Sequence, residues 1–277
     1  MKIPFKKMSG AGNDFIVVDN RDHKLPDLES VTRNVCNRSN AFGGADGFIA
    51  IENSGKAEFE MKYFNADGST GAMCGNGGRC AARFALVNGI VPSKHVLFEA
   101  VGSIYRADVT GDRVRLAMPD PRAIRLNFKL SVRGQQVTCH YVNVETPHAV
   151  IFIKDIIAPQ YRSVDDLDIN GWGKDVRMHP DFSPEGANAN FAELLNDGTV
   201  KLRTFERGVE GETLACGTGS VATAIVAHLL HKIAPPVHIL TKSGETLAVD
   251  FSDMNGDIRN LSLEGSANIL SEGLIEL

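Results

Sequence analysis

Paired cysteines, tryptophan, long apolar runs and an excess of either charge are all scarce in this sequence. Its five cysteines (Cys36, Cys74, Cys80, Cys139 and Cys216) form an odd set with no C-x-x-C spacing. That argues against a disulfide framework and a zinc ribbon, and favours thiols in a reducing compartment. No apolar run approaches the roughly 20 residues that cross a bilayer, and the opening Met1-Lys2-Ile3-Pro4-Phe5 lacks the charged-then-apolar pattern of a secretory signal. The expected location is the cytoplasm. With a formal net charge of −5 and acidic and basic residues interleaved, neither a nucleic-acid groove nor a polybasic membrane patch is indicated. The expected partner is therefore a small molecule. The single Trp172, set among Asn170, Gly171 and Gly173, reads as a surface packing residue.

What is present is 277 residues with 43 % hydrophobic content, enough for two ordinary domains. Strands are expected at 5–8 and 15–18 around the glycine-rich turn 9–14, then a helix at 28–36. A break at 43–47 precedes strands at 48–52 and 59–64. A helix is expected at 79–87, stopped by Asn88-Gly89. Strands at 96–99, 104–109 and 114–118 follow, and Pro119 and Pro121 mark a linker.

The second half replays this order. Phe48 corresponds to Phe191 (191 − 48 = 143), Cys74 to Cys216 (216 − 74 = 142), Gly102 to Gly244 (244 − 102 = 142) and Gly111 to Gly256 (256 − 111 = 145). Near-constant offsets imply two copies of one α+β unit, with the two cysteine turns at their seam. The stretch 221–230 is apolar on nearly every side and so belongs inside something. Each half is expected to be a partly closed barrel of strands around a central helix. The expected domains are 1–118, carrying Cys74, and 119–277, carrying Cys216, with the last strand packing back on the first half.

Each of these two cysteines stands beside glycines at the mouth of a helix, where unpaired backbone N–H groups attract anions and favour a thiolate. Such a thiolate can be a nucleophile, a redox centre, a metal ligand or a proton-transferring base. For a metal, only Cys80 lies at nearby spacing; a hydrolase would need one cysteine with a histidine and gives no reason for a second. Proton transfer at carbon does. Inverting an amino acid needs one group to take the α-proton from one face, another to deliver from the opposite face, and dipoles to hold the carbanion between them. Cys36, Cys80 and Cys139 read as small buried hydrophobes, and His228 and His231 as helix positions without chemistry.

The pieces Gly12-Asn13-Asp14-Phe15, Asn65-Ala66-Asp67-Gly68-Ser69, Met73-Cys74-Gly75-Asn76-Gly77-Gly78-Arg79-Cys80, Thr146-Pro147-His148, Asn188-Ala189-Asn190-Phe191, Glu206-Arg207-Gly208 and Ala215-Cys216-Gly217-Thr218-Gly219 together resemble the diaminopimelate epimerase family over nearly the whole chain. The resemblance implies the two-domain fold shared with proline racemases and the interconversion of LL- and meso-diaminopimelate for lysine and peptidoglycan precursors. It also implies that the reaction proceeds without pyridoxal phosphate, and from the residue spacing no metal is expected. Cys74 and Cys216 would be the acid/base pair. Gly75, Asn76, Gly217 and Thr218 would hold the α-carboxylate; Asn13, Asn65, Asn188, Glu206 and Arg207 would bind the far amino-acid end or the reacting ammonium. His148 and Glu206 would orient the thiols. A homodimer is one assembly compatible with it. Thr146 stands where the family usually has asparagine, and Gly47 where some members have glutamine. Both changes are expected to fall on the substrate, which leaves a related racemase of different specificity as the alternative.

Overall fold

A strand–helix–strand–strand–helix–strand plan occurs twice in this chain. The structure, a computed structural model, describes residues 2–25, 27–40, 43–71, 73–156 and 160–276. It divides into two compact units, one formed by Met1–Ala117 with Glu264–Leu277 and the other by Met118–Leu263.

In the first unit the elements are β1 (Lys2–Gly10), β2 (Asn13–Asp19), α1 (Leu28–Val35), β3 (Gly47–Glu52), β4 (Phe59–Asn65), α2 (Gly75–Val87), β5 (His95–Ala100), β6 (Ser103–Thr110) and β7 (Arg113–Ala117). β1 and β2 form a hairpin closed by Ala11 and Gly12, with φ of 53° and 92°, the pair of positive values that a type I′ turn demands. The turn is thus shorter than the sequence suggests, and Gly10 and Asn13 pair as strand residues. β2 runs parallel to β3 and β4 parallel to β5. Parallel partners need a crossover, and α1 and α2 occupy those two connections.

The two helices lie differently. α1 packs on β3 and β4, whereas α2 touches every strand from β1 to β7, so the curved sheet wraps around it. β3, with a helix on either face, is buried at all six positions. Small residues make the wrapping feasible. A Cβ on Gly10 would lie 2.9 Å from the Asn76 carbonyl oxygen, and one on Gly77 would lie 3.2 Å from Ile49 Cδ1. α2 begins at Gly75, four residues before the expected start at Arg79, because its glycine-rich first turn carries little intrinsic helix signal.

The second unit holds β8 (Ala123–Val132), β9 (Gln135–Val144), β10 (Thr146–Phe152), α3 (Ile169–Arg177), β11 (Asn188–Leu194), β12 (Val200–Glu206), β13 (Gly211–Thr213), α4 (Gly217–His231), β14 (Val237–Leu240) and β15 (Thr246–Met254). β16 (Asp257–Ser266) leads out of it, and β17 (Asn268–Glu276) pairs antiparallel with β1 in the first unit. The pairing order repeats: β10 parallel to β11, β11 antiparallel to β12, β12 parallel to β14. α4 is buried without interruption from Gly219 to Ala227 and touches β9, β10, β11, β12, β14 and β15. The α+β fold read from the sequence, a sheet curled around a central helix in each half, is what the structure shows. Among the described residues no helix is long and apolar enough to cross a membrane.

Trp172 departs from its reading. It is 2 % exposed and packs in the core with Val164, Phe191 and Phe205. The glycines beside it belong to α3, whose first turn is capped by Asp168 accepting from the Gly171 N–H. A Cβ on Gly173 would lie 2.3 Å from Phe205 Cβ and 2.5 Å from its Cγ, so the missing side chain is what lets α3 reach β12. Gly173→Ala should therefore destabilise the protein: the clash is with the root of a side chain that cannot swing away, costing about 1–3 kcal/mol, against a helix-propensity gain of about 1 kcal/mol. A denaturant midpoint equal to or above that of the wild type would refute this packing.

Candidate active site

Both motif cysteines are N-cap residues with extended backbone: Cys74 before α2 at φ −102°, ψ 112°, and Cys216 before α4 at φ −117°, ψ 113°. At that position a side chain faces the unpaired N–H groups of the first turn. What surrounds each differs.

At the mouth of α2, Cys74 is half-buried. Asn76 is 4 % exposed, and both ends of its amide are held. Its Nδ2 donates to Asn13 Oδ1 at 2.8 Å, and its Oδ1 accepts from the Arg79 guanidinium at 3.0 Å. Arg79 is itself fully buried, with Nε donating to the Ser266 carbonyl at 3.3 Å. Asn13 in turn donates to Asp46 at 3.2 Å. Asn65 is tied into its own turn, accepting from the Tyr63 hydroxyl at 3.1 Å and donating to Ser69 at 3.0 Å. Gly47 is set by packing, since a Cβ there would lie 2.5 Å from the Tyr63 ring.

At the mouth of α4, Cys216 is 8 % exposed. Burial pushes its thiol well above the ordinary cysteine value and the Glu206 charge pushes it further, while the Gly219 N–H and the Thr218 hydroxyl pull the other way. Burial likewise raises the Glu206 carboxyl, opposed by hydrogen bonds from Thr213 and Cys216; the Thr213 hydroxyl donates to it at 2.5 Å. Desolvation and the Glu206 charge together keep the resting Cys216 a protonated thiol. This corrects the thiolate expected from the helix mouth alone, because desolvation penalises the charged form by more than a helix terminus repays.

His148, fully buried on β10, lies 2.9 Å from Thr218 Oγ1 and 3.0 Å from Thr146 Oγ1 through Nε2, and the two hydroxyls are 3.3 Å apart. Thr218 Oγ1 is 3.7 Å from Cys216 Sγ. Burial pushes the imidazole down to about 3, with the Arg207 charge acting in the same direction, so it is neutral. Asn188 bridges two segments, donating to the Pro147 carbonyl at 3.1 Å and accepting from the Arg207 N–H at 2.8 Å. The Arg207 guanidinium donates to the Glu185 carbonyl at 3.3 Å.

Of the residues picked from the sequence, the structure gathers Cys216, Gly217, Thr218, Glu206 and His148 around one helix mouth and Cys74, Gly75, Asn76 and Asn13 around the other. It hydrogen-bonds Asn65, Asn188 and Arg207 to flanking segments. Thr146, expected at a substrate-contact position, bonds to His148 and Thr218. Asn190 was missed. It stands two residues after Asn188 on a strand, so period two puts both on one face, and that signal was available.

The fold and the two cysteine-capped helix mouths define the class, an epimerase-like α+β architecture. A phenazine biosynthesis protein of the PhzF family from Bacillus anthracis matches it with a TM-score of 0.74 at 13 % identity, covering 100 % of both chains. A probable proline racemase from Agrobacterium radiobacter matches with 0.69 at 16 % identity, covering 99 % of this chain and 93 % of that one. The sequence is more particular. The family model for diaminopimelate epimerase matches residues 5–123 and 140–269. The diaminopimelate epimerase of Chlorobaculum tepidum is 44 % identical over 273 residues, 98 % of this chain and 100 % of the relative. That of Aquifex aeolicus is 40 % identical over 282 residues, 97 % and 96 %. The chain belongs to the diaminopimelate epimerase family.

Because the Glu206 charge holds the Cys216 thiol up, Glu206→Gln should lower that pKa and speed alkylation of Cys216 near pH 8, where a raised thiol is almost wholly un-ionised. Peptide mapping after timed iodoacetamide exposure reads this directly; slower labelling than in the wild type would mean that Glu206 stabilises the thiolate instead.

Proposed function

We propose that this chain interconverts LL- and meso-diaminopimelate by moving a proton at the α-carbon, with Cys74 and Cys216 serving its two faces. The observation that carries the reading is Cys216 as N-cap of α4, with the Thr218 hydroxyl 3.7 Å from its sulfur and the Glu206 charge acting on it, matched by a second cysteine in the same capping position of α2. In one direction Glu206 takes the Cys216 proton, the resulting thiolate removes the α-proton, and the Cys74 thiol delivers a proton to the other face. The reverse direction exchanges the roles of the thiols. Atoms balance without a redox step, and the carbanion is held by its carboxylate against the first-turn N–H groups of Gly75, Asn76, Gly217 and Thr218. This is amino-acid chemistry in the cytoplasm, and the same reading assigns the far end of the substrate to Asn13, Asn65, Asn188 and Arg207.

Alanine at either Cys74 or Cys216 should cut epimerisation by roughly 10²–10⁴-fold, the usual worth of a positioned acid or base. α-Proton exchange in deuterated water, with the LL/meso ratio followed in parallel, checks it. Full turnover by either single variant would remove the two-thiol assignment. Faster exchange with another amino acid than with diaminopimelate would make the chain a racemase of different specificity.

A further inference from the structure

Asn190 is 1 % exposed, and every polar atom of its side chain is assigned. Its Oδ1 accepts from the Thr204 hydroxyl at 3.0 Å, while its Nδ2 faces the carbonyls of Ala149 at 2.9 Å and Asn188 at 3.3 Å. The hydroxyl donor fixes Oδ1 on one side, and on the other the two amide hydrogens go to the nearer two of three acceptors, the Ala149 carbonyl and His148 Nδ1. The same Nδ2 lies 3.1 Å from His148 Nδ1. An NH₂ group can only donate there, so Nδ1 must carry a lone pair and the imidazole proton must sit on Nε2. Nε2 then donates to the oxygens of Thr146 and Thr218, 3.0 and 2.9 Å away. With that lone pair occupied, the Thr218 hydroxyl proton is free to turn toward Cys216 Sγ, 3.7 Å distant. Gly219 completes the fit: a Cβ there would lie 2.4 Å from Asn190 Oδ1 and 3.2 Å from Cys216 Sγ.

We infer that Asn190 is a positioning residue that acts through His148: by donating to Nδ1 it makes the imidazole a fixed Nε2–H donor, which turns the Thr218 hydroxyl onto the Cys216 sulfur and supports it as a thiolate. His148 is then a donor in this unit and not the base for Cys216; that part belongs to Glu206. Thr146 shares the same proton, so its hydroxyl takes part in setting the thiol. The charged and titratable groups acting on this chain are Arg207, which opposes protonation of His148, and Glu206, which opposes ionisation of Cys216. The inference rests on the proposed reaction only for its kinetic part.

Nitrogen-15 NMR of histidine-labelled protein tests the tautomer with no turnover needed. The expected result is an unprotonated Nδ1 and a protonated Nε2 for His148 across roughly pH 6–8, where a free imidazole would change charge. A proton on Nδ1, or an imidazolium in that range, overturns the inference. In Asn190→Asp, nearly the same size, the carboxylate should accept from Nδ1 and move the proton there. kcat on diaminopimelate should then fall by about tenfold or more with KM changed by less than about threefold, and the limb of the kcat–pH profile that reports the Cys216 thiol should move to higher pH. A flipped tautomer with unchanged kcat and profile overturns the positioning role. Wild-type protein with the expected tautomer but no exchange on diaminopimelate counts against the proposed reaction and leaves the tautomer assignment standing.

Discussion

Wrapping a curved sheet around a helix is the constraint from which the rest of this structure follows. A helix covered along its length has its side-chain surface committed to packing, which favours small and apolar residues; α4 is built almost wholly of them, and α2 mostly so, with the buried Arg79 as its exception. Its unpaired backbone polar groups are at its ends. The first turn, with N–H groups that no carbonyl of the helix can reach, becomes a place in the wrapped core where an anion is welcome. Cysteine as N-cap puts a weak acid at that spot while adding almost no bulk, and the glycines around it follow from the same closeness.

The two units share this plan yet fill it unequally. Phe15 pairs with Gly47 in the first unit and Val150 with Asn190 in the second, Gly47 and Asn190 each preceding a repeated phenylalanine. Two residues before Phe15 and Val150 stand Asn13 and His148. Each then bonds the second helical residue, Asn13 to Asn76 at 2.8 Å and His148 to Thr218 at 2.9 Å. The place is one and the chemistry is two: an amide pair that cannot titrate, and an imidazole–hydroxyl pair beside a thiol and a carboxylate. The duplicated scaffold is thus alike where it packs and unlike at its two helix mouths.

Much of this was legible in the sequence because packing repeats leave constant offsets. The paired cysteines, the apolar second helix and the alternating strands all declare themselves through period and spacing. What was misread has a common cause. The start of α2 at Gly75 and the burial of Trp172 were hidden by glycines, which look like loop signals although here they serve close approach. The hydrogen bonds of Asn190 and Thr146 were hidden because a hydrogen-bonded chain across β10, β11 and the mouth of α4 has no one-dimensional signature. Only the period-two relation between Asn188 and Asn190 hinted at it.

The ionisation of Cys216 shows most clearly why motif and environment must be weighed together. A helix N-terminus contributes about 0.3–1 kcal/mol, at best about 2, to an adjacent anion, and one pKa unit is about 1.4 kcal/mol. It therefore lowers a thiol by about one unit. Full burial raises an ionisable group by up to about 3–5 units, and at Cys216 the upward effect wins. A thiolate created there from a neutral site would be costly. Passing the thiol proton to Glu206 is different, because a buried negative charge is already present and only changes residence, from carboxylate to sulfur. The cost is then the difference between two solvation environments a hydrogen bond apart. Thr213, donating to the carboxylate, stabilises the charge before the transfer, and Thr218, donating to the sulfur, stabilises it afterwards. Burial raises both groups, the thiol well above its ordinary value and the carboxyl above its own, so part of the cost of holding the charge away from water is common to both sides of the transfer.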